Sequence, residues 1–252
     1  MSDPGTRVAA DEPRSPWLRG GFVLAAAFIG FVTVVAGAVV FTSDTSGPDP
    51  GAGTARPPVD RAAVPSSPPP DADGPCPELS DTRQDVPTAV PRGVTWKLFG
   101  AVAVPSSGAS GPAVTGKDVA HCYARTPVGA LLATSQISVR YLAADDWRKV
   151  TRLQMVGAGR DAYIAGRTSA EKKPSTDRDG GAHGQIAGFR FVTYEESTSV
   201  IQTVWRFPDG RMQAATTTVL WRDGDWRLEY PAAPVAPTPV GSLAGYIQWG
   251  GV

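Results

Sequence analysis

Residues 200–230 have the sequence VIQTVWRFPDGRMQAATTTVLWRDGDWRLEY, in which two Asp-Gly pairs separate three β-rich runs. Asp-Gly between alternating apolar and polar runs is a strong hairpin signal, because both residues accept the positive φ of a tight turn. Residues 186–194 have the same period of two, which places Phe189, Phe191 and Thr193 on one face. The pattern predicts a four-stranded antiparallel meander.

Helical signals come before the meander. Thr126-Pro127 is typical of an N-cap followed by proline at the first helical position, and apolar residues recur at three- and four-residue steps through residues 128–142. Asp145-Asp146 offers the cap of a second, short helix, and residues 160–167 suit a third. Helices followed by a meander predict an α+β domain in which the helices cover one face of a curved sheet.

The remaining parts of this domain are less regular. Residues 94–104 have the composition of one strand, and residues 105–116 form a loop of small residues. Residues 168–185 are polar and predict an exposed loop. Residues 242–252 carry apolar residues at helical spacing after a serine, and a tail this apolar is expected to dock on the domain.

An apolar run lies far upstream. Residues 20–41, GGFVLAAAFIGFVTVVAGAVVF, contain no charge and no proline. About 20 residues at ~1.5 Å rise span the ~30 Å hydrocarbon core of a bilayer, so the run predicts one transmembrane helix at residues 20–42. A cleaved signal peptide is the alternative, but its apolar region would be shorter, and Ala36–Ala38 is a poor cleavage site.

Basic residues are distributed unevenly around this run. Arg7, Arg14 and Arg19 precede it, and the first basic residue after it is Arg56. Because arginine near a span resists translocation, residues 1–19 are predicted to be a cytoplasmic tail, with the C-terminal domain outside the cell. The lipid bilayer is thus the first expected partner.

The stretch between the span and the domain is rich in proline. Residues 43–75 contain nine prolines and almost no large apolar side chain. Such a sequence does not bury enough surface to offset its ordering entropy, and Pro-rich chains extend by up to ~3.1 Å per residue. The composition predicts a disordered, Pro-rich stalk that carries an extracytoplasmic α+β domain at residues 76–252.

Charge is balanced along the chain. There are 24 basic and 24 acidic residues, and three of each lie before residue 42, so the outer part is neutral as well. Sequence-independent binding of nucleic acid depends on many Lys and Arg side chains against phosphates. The composition therefore predicts no direct nucleic-acid partner, and it offers no polybasic segment for a membrane surface.

The two cysteines, Cys76 and Cys122, are expected to form a disulfide, because the environment outside the membrane is oxidising. Two unrelated buried thiols are the alternative. The spacing excludes a CxxC redox motif, and two cysteines with the distant His121 and His183 lack the spacing of a zinc finger. No metal ligand set and no cofactor site is predicted.

Several familiar catalytic motifs are missing from the sequence, which has no GxSxG, P-loop or HExxH run. Asp161 with Tyr163 or Tyr194 offers a carboxylate and an acidic donor for a proton-transfer enzyme. Asp161, however, stands where a helix starts, and Tyr163 suits a core position. The chain is therefore predicted not to be an enzyme.

Three tryptophans, Trp205, Trp221 and Trp226, lie on or beside adjacent predicted strands. A row of aromatic rings on a sheet can bind a glycan or a protein partner, which makes the three residues candidates for an interface. The alternative is that they fill the core of the sheet, where large aromatic residues are more often found.

Short motifs spread over residues 76–252 carry a family resemblance: Cys76-Pro77, Asp81-Thr82-Arg83, Gly93-Val94-Thr95-Trp96, residues 126–132, Gly188-Phe189-Arg190-Phe191 and residues 242–245. With these motifs the chain resembles actinobacterial single-pass membrane proteins of unassigned function. The ending at residues 221–230, after two long strands and preceded by helices, resembles the sheet of the nuclear transport factor 2-like fold.

The resemblance implies a function as well as a fold. One-span proteins with such an outer domain include the bitopic assembly factor of type IV secretion and the TcpC-like conjugation proteins, which carry two such domains where this chain has one. The resemblance implies a non-enzymatic scaffold whose partners are other membrane subunits of a transfer or secretion complex, with homo-oligomers also expected. The alternative is a binding module for a cell-wall polymer or a small ligand in the cone of the sheet.

Overall fold

The computed structural model describes residues 76–172 and 183–251. The predicted tail, membrane helix and stalk, residues 1–75, lie outside these residues. Within the described part, no helix combines the length and the apolar character that a membrane crossing requires.

The strands are β1 (Val94–Phe99), β2 (Val102–Ser107), β3 (Val114–Thr115), β4 (Ala120–His121), β5 (Met155–Val156), β6 (Gln185–Glu195), β7 (Thr198–Arg206), β8 (Met212–Arg222), β9 (Asp225–Glu229), β10 (Thr238–Val240) and β11 (Ile247–Gln248). The helices are α1 (Pro127–Ala143), α2 (Trp147–Gln154) and α3 (Arg160–Glu171).

The main sheet confirms the predicted meander. Strands β6, β7, β8 and β9 pair antiparallel in chain order, β11 lies beyond β6, and β5 pairs parallel with β9. The turn between β8 and β9 has positive φ at both Asp223 and Gly224, as the Asp-Gly pair predicts. With three helices, the described residues form an α+β domain.

A β-bulge in β6 changes the predicted alternation. The register against β7 shifts between Phe191 and Thr193, and Val192 is exposed within the shift. An extra residue in one strand moves the following side chains to the other face. Tyr194, not Thr193, therefore follows Phe191 toward the core, with the two ring centroids 6.4 Å apart. The predicted position of Thr193 on the Phe189 face was wrong.

The prediction of one strand at residues 94–104 was also wrong, because the segment folds back on itself. Strands β1 and β2 form an antiparallel hairpin in which Phe99 faces Val102. Gly100, between them, has a φ of +57°, which glycine adopts readily because it has no Cβ. The predicted loop at residues 105–116 is correspondingly shorter, since β2 extends to Ser107 and β3 begins at Val114.

The predicted helix starts are confirmed. The Thr126 side chain accepts a hydrogen bond from the Gly129 N–H at the start of α1, and Asp146 does the same for Lys149 at the start of α2. Both side chains satisfy an N–H that would otherwise lack a partner at the helix end. Helix α3 is longer than predicted and ends at Glu171, so the polar loop begins after it.

Helix α1 fills one face of the main sheet, here called the inner face. It contacts β7, β8 and β9, and its leucines Leu131 and Leu132 are fully buried. They belong to a core cluster with Ile201 of β7 and Val219 of β8. The helix is buried nearly all round, because the β1–β2 hairpin also packs against it. The space under the sheet is thus occupied by side chains.

The C-terminal crossing, residues 238–249, passes over the other face of the sheet, here called the outer face. It begins as β10 on the edge of β8 and ends as β11 on the edge of β6, so the chain between them crosses β7. Tyr246 lies on this path and its hydroxyl donates to the Gln202 side chain at 3.0 Å. The tail docks as expected, but it forms a short strand where its spacing suggested a helix.

Candidate functional site

Two of the three candidate tryptophans lie together at one end of the sheet. Trp221 and Trp226 face each other across the β8–β9 hairpin, with ring centroids 5.5 Å apart. Trp226 is fully buried, and its indole N–H donates to the Ala124 carbonyl at 2.9 Å. Trp221 is only partly buried and is the member of the pair that reaches the surface.

Trp205 does not join them. It lies on β7 opposite Gln213 and packs, partly buried, against a small second cluster that includes Val102, Val104 and Val139. The predicted set therefore divides by role: Trp226 and Trp205 support packing, and Trp221 contributes to a surface. Their spacing along the strands could not show this, because it depends on which elements cover each end of the sheet.

A cleft of about 370 Å³ opens beside Trp221 and is called the Trp221 cleft below. It lies beside the first described residues, since Cys76 and Pro77 form part of its wall. Its other lining residues come from the N-terminal strap (residues 76–84), from the segment before α1 and from the β8–β9 hairpin: Leu79, Asp81, Thr82, Gln84, Tyr123, Ala124, Arg125, Trp221 and Gly224.

Arg125 and Gln84 give the Trp221 cleft its polar side. The Arg125 guanidinium carbon lies 5.8 Å from the centroid of the Trp221 ring, within the range of a cation–π contact. Its Nε donates to the Glu196 carbonyl at 2.9 Å, and the Gln84 amide donates to the Arg125 carbonyl at 2.9 Å. The guanidinium group of Arg125 and the indole ring of Trp221 thus form one wall of the cleft, and hydrogen bonds from neighbouring loops hold Arg125 in place.

Tyr194 fixes the strap from the side of the sheet. Its hydroxyl donates to the side-chain amide oxygen of Gln84, Oε1, at 2.6 Å, and burial, followed by the charge of Glu196, raises its pKa to about 12. The phenol therefore stays protonated at neutral pH and remains a donor. Its role is to hold the N-terminal strap across the end of the inner face.

Asp81 anchors the same strap to the body of the domain. Its buried carboxylate accepts hydrogen bonds from the Ser110 hydroxyl at 2.7 Å, from the Thr126 hydroxyl at 3.1 Å and from Arg83 Nε at 3.1 Å. Burial alone would raise the pKa of this carboxyl, but the hydrogen bonds outweigh it, and the pKa lies below its ordinary value. Asp81 is thus a charged anchor that also engages the cap of α1.

The predicted disulfide is present. Cys76 and Cys122 are joined across 46 positions, which ties the first described residue to the segment before α1. His121 Nδ1 lies 3.2 Å from the Cys122 sulfur, so one nitrogen and two sulfurs cluster within 4.8 Å. Both sulfurs are bound to each other, and a metal requires thiolates. In this oxidised form the cluster serves as a covalent link.

Asp225, at the start of β9, is a buried carboxylate that sequence reasoning missed. It accepts hydrogen bonds from the backbone N–H groups of Cys122, Tyr123 and Trp226, each at 2.9 Å. Burial raises its pKa, and the three donors and the charge of Arg227 only partly offset this. The only sequence signal was an acidic residue directly after the Asp-Gly turn, which does not distinguish an anchor from a surface charge.

The candidate proton-transfer residues do not form a common site. Asp161 lies in the first turn of α3, is exposed and pairs with Arg160. Tyr163 packs among aromatic rings, 5.4 Å from Tyr141 and 5.0 Å from Tyr230, and burial raises its pKa. Tyr194 is engaged with the N-terminal strap, as described above. Each residue thus has a local structural partner.

A second cleft of about 370 Å³ lies at the β6–β11 edge. Trp96 of β1 and Trp249 line it, with ring centroids 4.7 Å apart, and Arg206 and Gln185 supply polar groups. Trp249 also packs on Phe189 at 5.2 Å and is buried. This aromatic trio joins the hairpin, the main sheet and the C-terminal crossing, so its first role is packing.

Comparison with known proteins gives one family. A family model described as Domain of unknown function (DUF8175) matches residues 57–248, well over half of the chain. No curated protein matches the chain, and no solved structure matches it either. The match includes every described strand and helix, and it begins within the Pro-rich stretch. The chain therefore belongs to the DUF8175 family.

Proposed function

We propose that the protein is a non-enzymatic, single-pass membrane scaffold whose outer domain assembles with subunits of a conjugation or secretion apparatus. The apolar run at residues 20–41 would fix it in the bilayer, and the Pro-rich residues 43–75 would set the height of the domain. The arginines before the run favour a cytoplasmic N-terminus and an outer C-terminal domain.

The observation that carries this proposal is the filled inner face of the sheet. Leu131 and Leu132 of α1 pack there against Ile201 and Val219, and the N-terminal strap closes the end through Gln84. A ligand-binding or catalytic domain needs a concave space with a few convergent polar groups. Because side chains occupy the inner face, other molecules would meet the domain at its outside, where the two clefts open, and this suits a scaffold.

The arrangement also supports a nuclear transport factor 2-like fold, which is part of this proposal. Three helices precede a meander, the longest helix crosses the inner face, and a bulge bends the first long strand. Enzymes of such folds place their carboxylates inside the cone of the sheet. Among residues 76–172 and 183–251 the two buried carboxylates, Asp81 and Asp225, bind hydroxyl and backbone N–H donors, which is a structural use.

A fixed entry point suits positioning by the membrane segment. The disulfide at Cys76 attaches the strap to the segment before α1, and the carboxylate of Asp81 attaches it to Thr126, the N-cap of α1. A displacement of the residues before Cys76 would thereby act directly on the body of the domain. The alternative of a binding module with its ligand on the inner face has less support, because that face is packed.

In-cell crosslinking tests the proposal. The tagged full-length protein would be crosslinked in cells, purified from membranes and analysed for co-purifying proteins by mass spectrometry. We expect membrane subunits of a transfer or secretion complex, together with further copies of this chain. A deletion strain with unchanged DNA transfer and unchanged secretion would sink the proposal, and recovery of wall fragments alone would favour the binding module.

A further inference from the structure

The Trp221 cleft lies at the point where the chain leaves the described residues. Cys76, the first of them, forms part of its wall together with Pro77. The disulfide holds Cys76 there, so the preceding residues start at the rim of the cleft wherever they go afterwards. Residues 68–75 extend over at most ~25 Å at ~3.1 Å per residue, which keeps them in reach of the whole cleft.

The chemistry of the cleft matches the chemistry of that segment. Residues 66–75 have the sequence SSPPPDADGP, three consecutive prolines followed by two aspartates. Proline-rich segments dock in grooves lined by aromatic rings, because the extended helix they prefer loses little entropy on binding. Trp221, Leu79 and Pro77 offer an apolar wall of this kind.

The charged groups around the Trp221 cleft also favour residues 66–75 as its occupant. Arg125 lines the cleft with about half of its side chain exposed. Arg83 belongs to the strap, and 69% of its side chain is exposed. Two acidic groups nearby are engaged, since Asp81 is held by hydrogen bonds and Glu196 lies 3.9 Å from Arg125, whereas Glu78 of the strap and Asp223 of the β8–β9 turn are exposed. The carboxylates of Asp71 and Asp73 would meet guanidinium groups that have further N–H donors to offer.

The extent of the family match is an independent observation. The DUF8175 model begins at residue 57 and so includes the second half of the Pro-rich stretch. A spacer with no role beyond its length would not need to belong to the matched unit. From the rim position, the aromatic and cationic wall and this match, we infer that residues 66–75 occupy the Trp221 cleft of their own domain.

Such docking would divide the Pro-rich stretch into two parts. Residues 66–75 would belong to the domain, and residues 43–65 would remain as the spacer between membrane and domain. The inference does not rest on the proposed scaffold function, because the cleft and the segment are parts of one chain. The partner subunits of the domain would then have to bind elsewhere or displace the segment.

Fluorine NMR on the full-length chain in detergent or nanodiscs tests the inference. The tryptophans would be labelled with 5-fluorotryptophan, and the Trp221 resonance assigned by its loss in Trp221→Phe. In a variant with Pro68→Ser, Pro69→Ser and Pro70→Ser, we expect this resonance to shift toward that of a solvent-exposed ring, while the buried Trp226 resonance stays in place. The matched control, Pro48→Ser with Pro50→Ser, lies upstream of the segment and should leave both resonances unchanged.

A second variant separates charge from shape. Asp71→Asn with Asp73→Asn should shift the Trp221 resonance in the same direction by a smaller amount, and high salt should reproduce that effect in the unmodified chain. An unmoved Trp221 resonance in the triple proline variant would overturn the inference and leave the cleft to a separate partner. A shift of equal size in the upstream control would overturn it too, since the effect would then not be local.

Discussion

The carboxylate of Asp225 accepts a hydrogen bond from the backbone N–H of Cys122 at 2.9 Å, across 103 positions of the chain. Cys122 has a φ of +68°, a left-handed conformation that costs a non-glycine residue free energy unless its surroundings hold it there. The next N–H, of Tyr123, points to the same carboxylate at 2.9 Å. A single side chain of β9 thus holds the backbone at the inner end of the disulfide.

Replacing Asp225 by asparagine should destabilise the domain. Its two oxygens accept from Cys122 and Tyr123 separately, so an amide NH₂ would face one of these N–H donors. A buried donor left without an acceptor costs about 1–3 kcal/mol. Urea unfolding of the full chain would measure this loss. An unchanged unfolding midpoint would show that the segment around Cys122 holds its conformation without the carboxylate.

Removing the disulfide should lower stability by a larger amount. The bond closes a loop of 46 positions, and the chain-entropy model assigns a loop of that length about 4 kcal/mol. Cys76→Ser with Cys122→Ser should therefore unfold at a lower denaturant concentration. A dithiol reductant added to the unmodified protein should reproduce the shift, and a variant that unfolds like the oxidised protein would contradict this account.

The stability that Asp81 provides should depend on pH. Its pKa in the folded state lies below the ordinary value of 3.8, so its contribution is complete above that pH and is lost as the pH falls through the folded-state pKa. Asp81→Asn should lower the melting temperature at pH 7, and the difference from the unmodified protein should shrink as the pH falls below 3.8. Equal differences at all pH values would exclude this linkage.

The melting temperature of Asp81→Asn has to be compared with that of the unmodified protein at each pH, because Asp225 changes the pH dependence of stability with the opposite sign. Burial raises the pKa of Asp225 in the folded state, so its proton uptake favours the folded state as the pH falls through that pKa. A melting curve of the unmodified protein alone would combine both effects. Subtracting the Asp81→Asn curve isolates the group that anchors the N-terminal strap.

Two helical glycines give a matched pair of substitutions. A Cβ on Gly129 of α1 would lie 2.0 Å from the Ala124 carbonyl oxygen, while a Cβ on Gly166 of α3 would meet nothing within 4 Å. Gly129→Ala should cost about 1–3 kcal/mol or prevent folding, because backbone must move. Gly166→Ala should stabilise the domain by about 0.5–1 kcal/mol through helix propensity. Thermal unfolding of both variants checks the contrast.

Local signals predicted most of the regular structure. The Thr126 and Asp146 caps, the turn at Asp223-Gly224 and the order of the meander each depend on residues close in sequence. The two wrong strand predictions also concern short stretches of sequence, but predicting them correctly requires knowledge of a second strand or helix. The β1–β2 turn at Gly100 and the bulge after Phe191 depend on the strand or helix that lies opposite.

The candidate site was much less predictable than the fold. Trp221 was a candidate with Trp205 and Trp226, yet only the packed structure shows that it alone lines a cleft with Arg125. The anchors Asp81 and Asp225 act on residues far away in sequence. In the sequence, both aspartates look like ordinary surface residues, and no hydrophobic periodicity marks them as buried. The predicted membrane segment and stalk at residues 20–75 stay predictions, because they lie outside the described residues.

The aromatic trio has a consequence for biosynthesis. Trp96 belongs to the first hairpin, whereas its ring partner Trp249 lies at the far end of the C-terminal crossing. A chain that is synthesised N-terminus first would expose Trp96 and Phe189 until that last segment arrives. Completion of this core therefore has to follow synthesis of the crossing, and until then the nascent domain would present uncovered rings to chaperones and proteases.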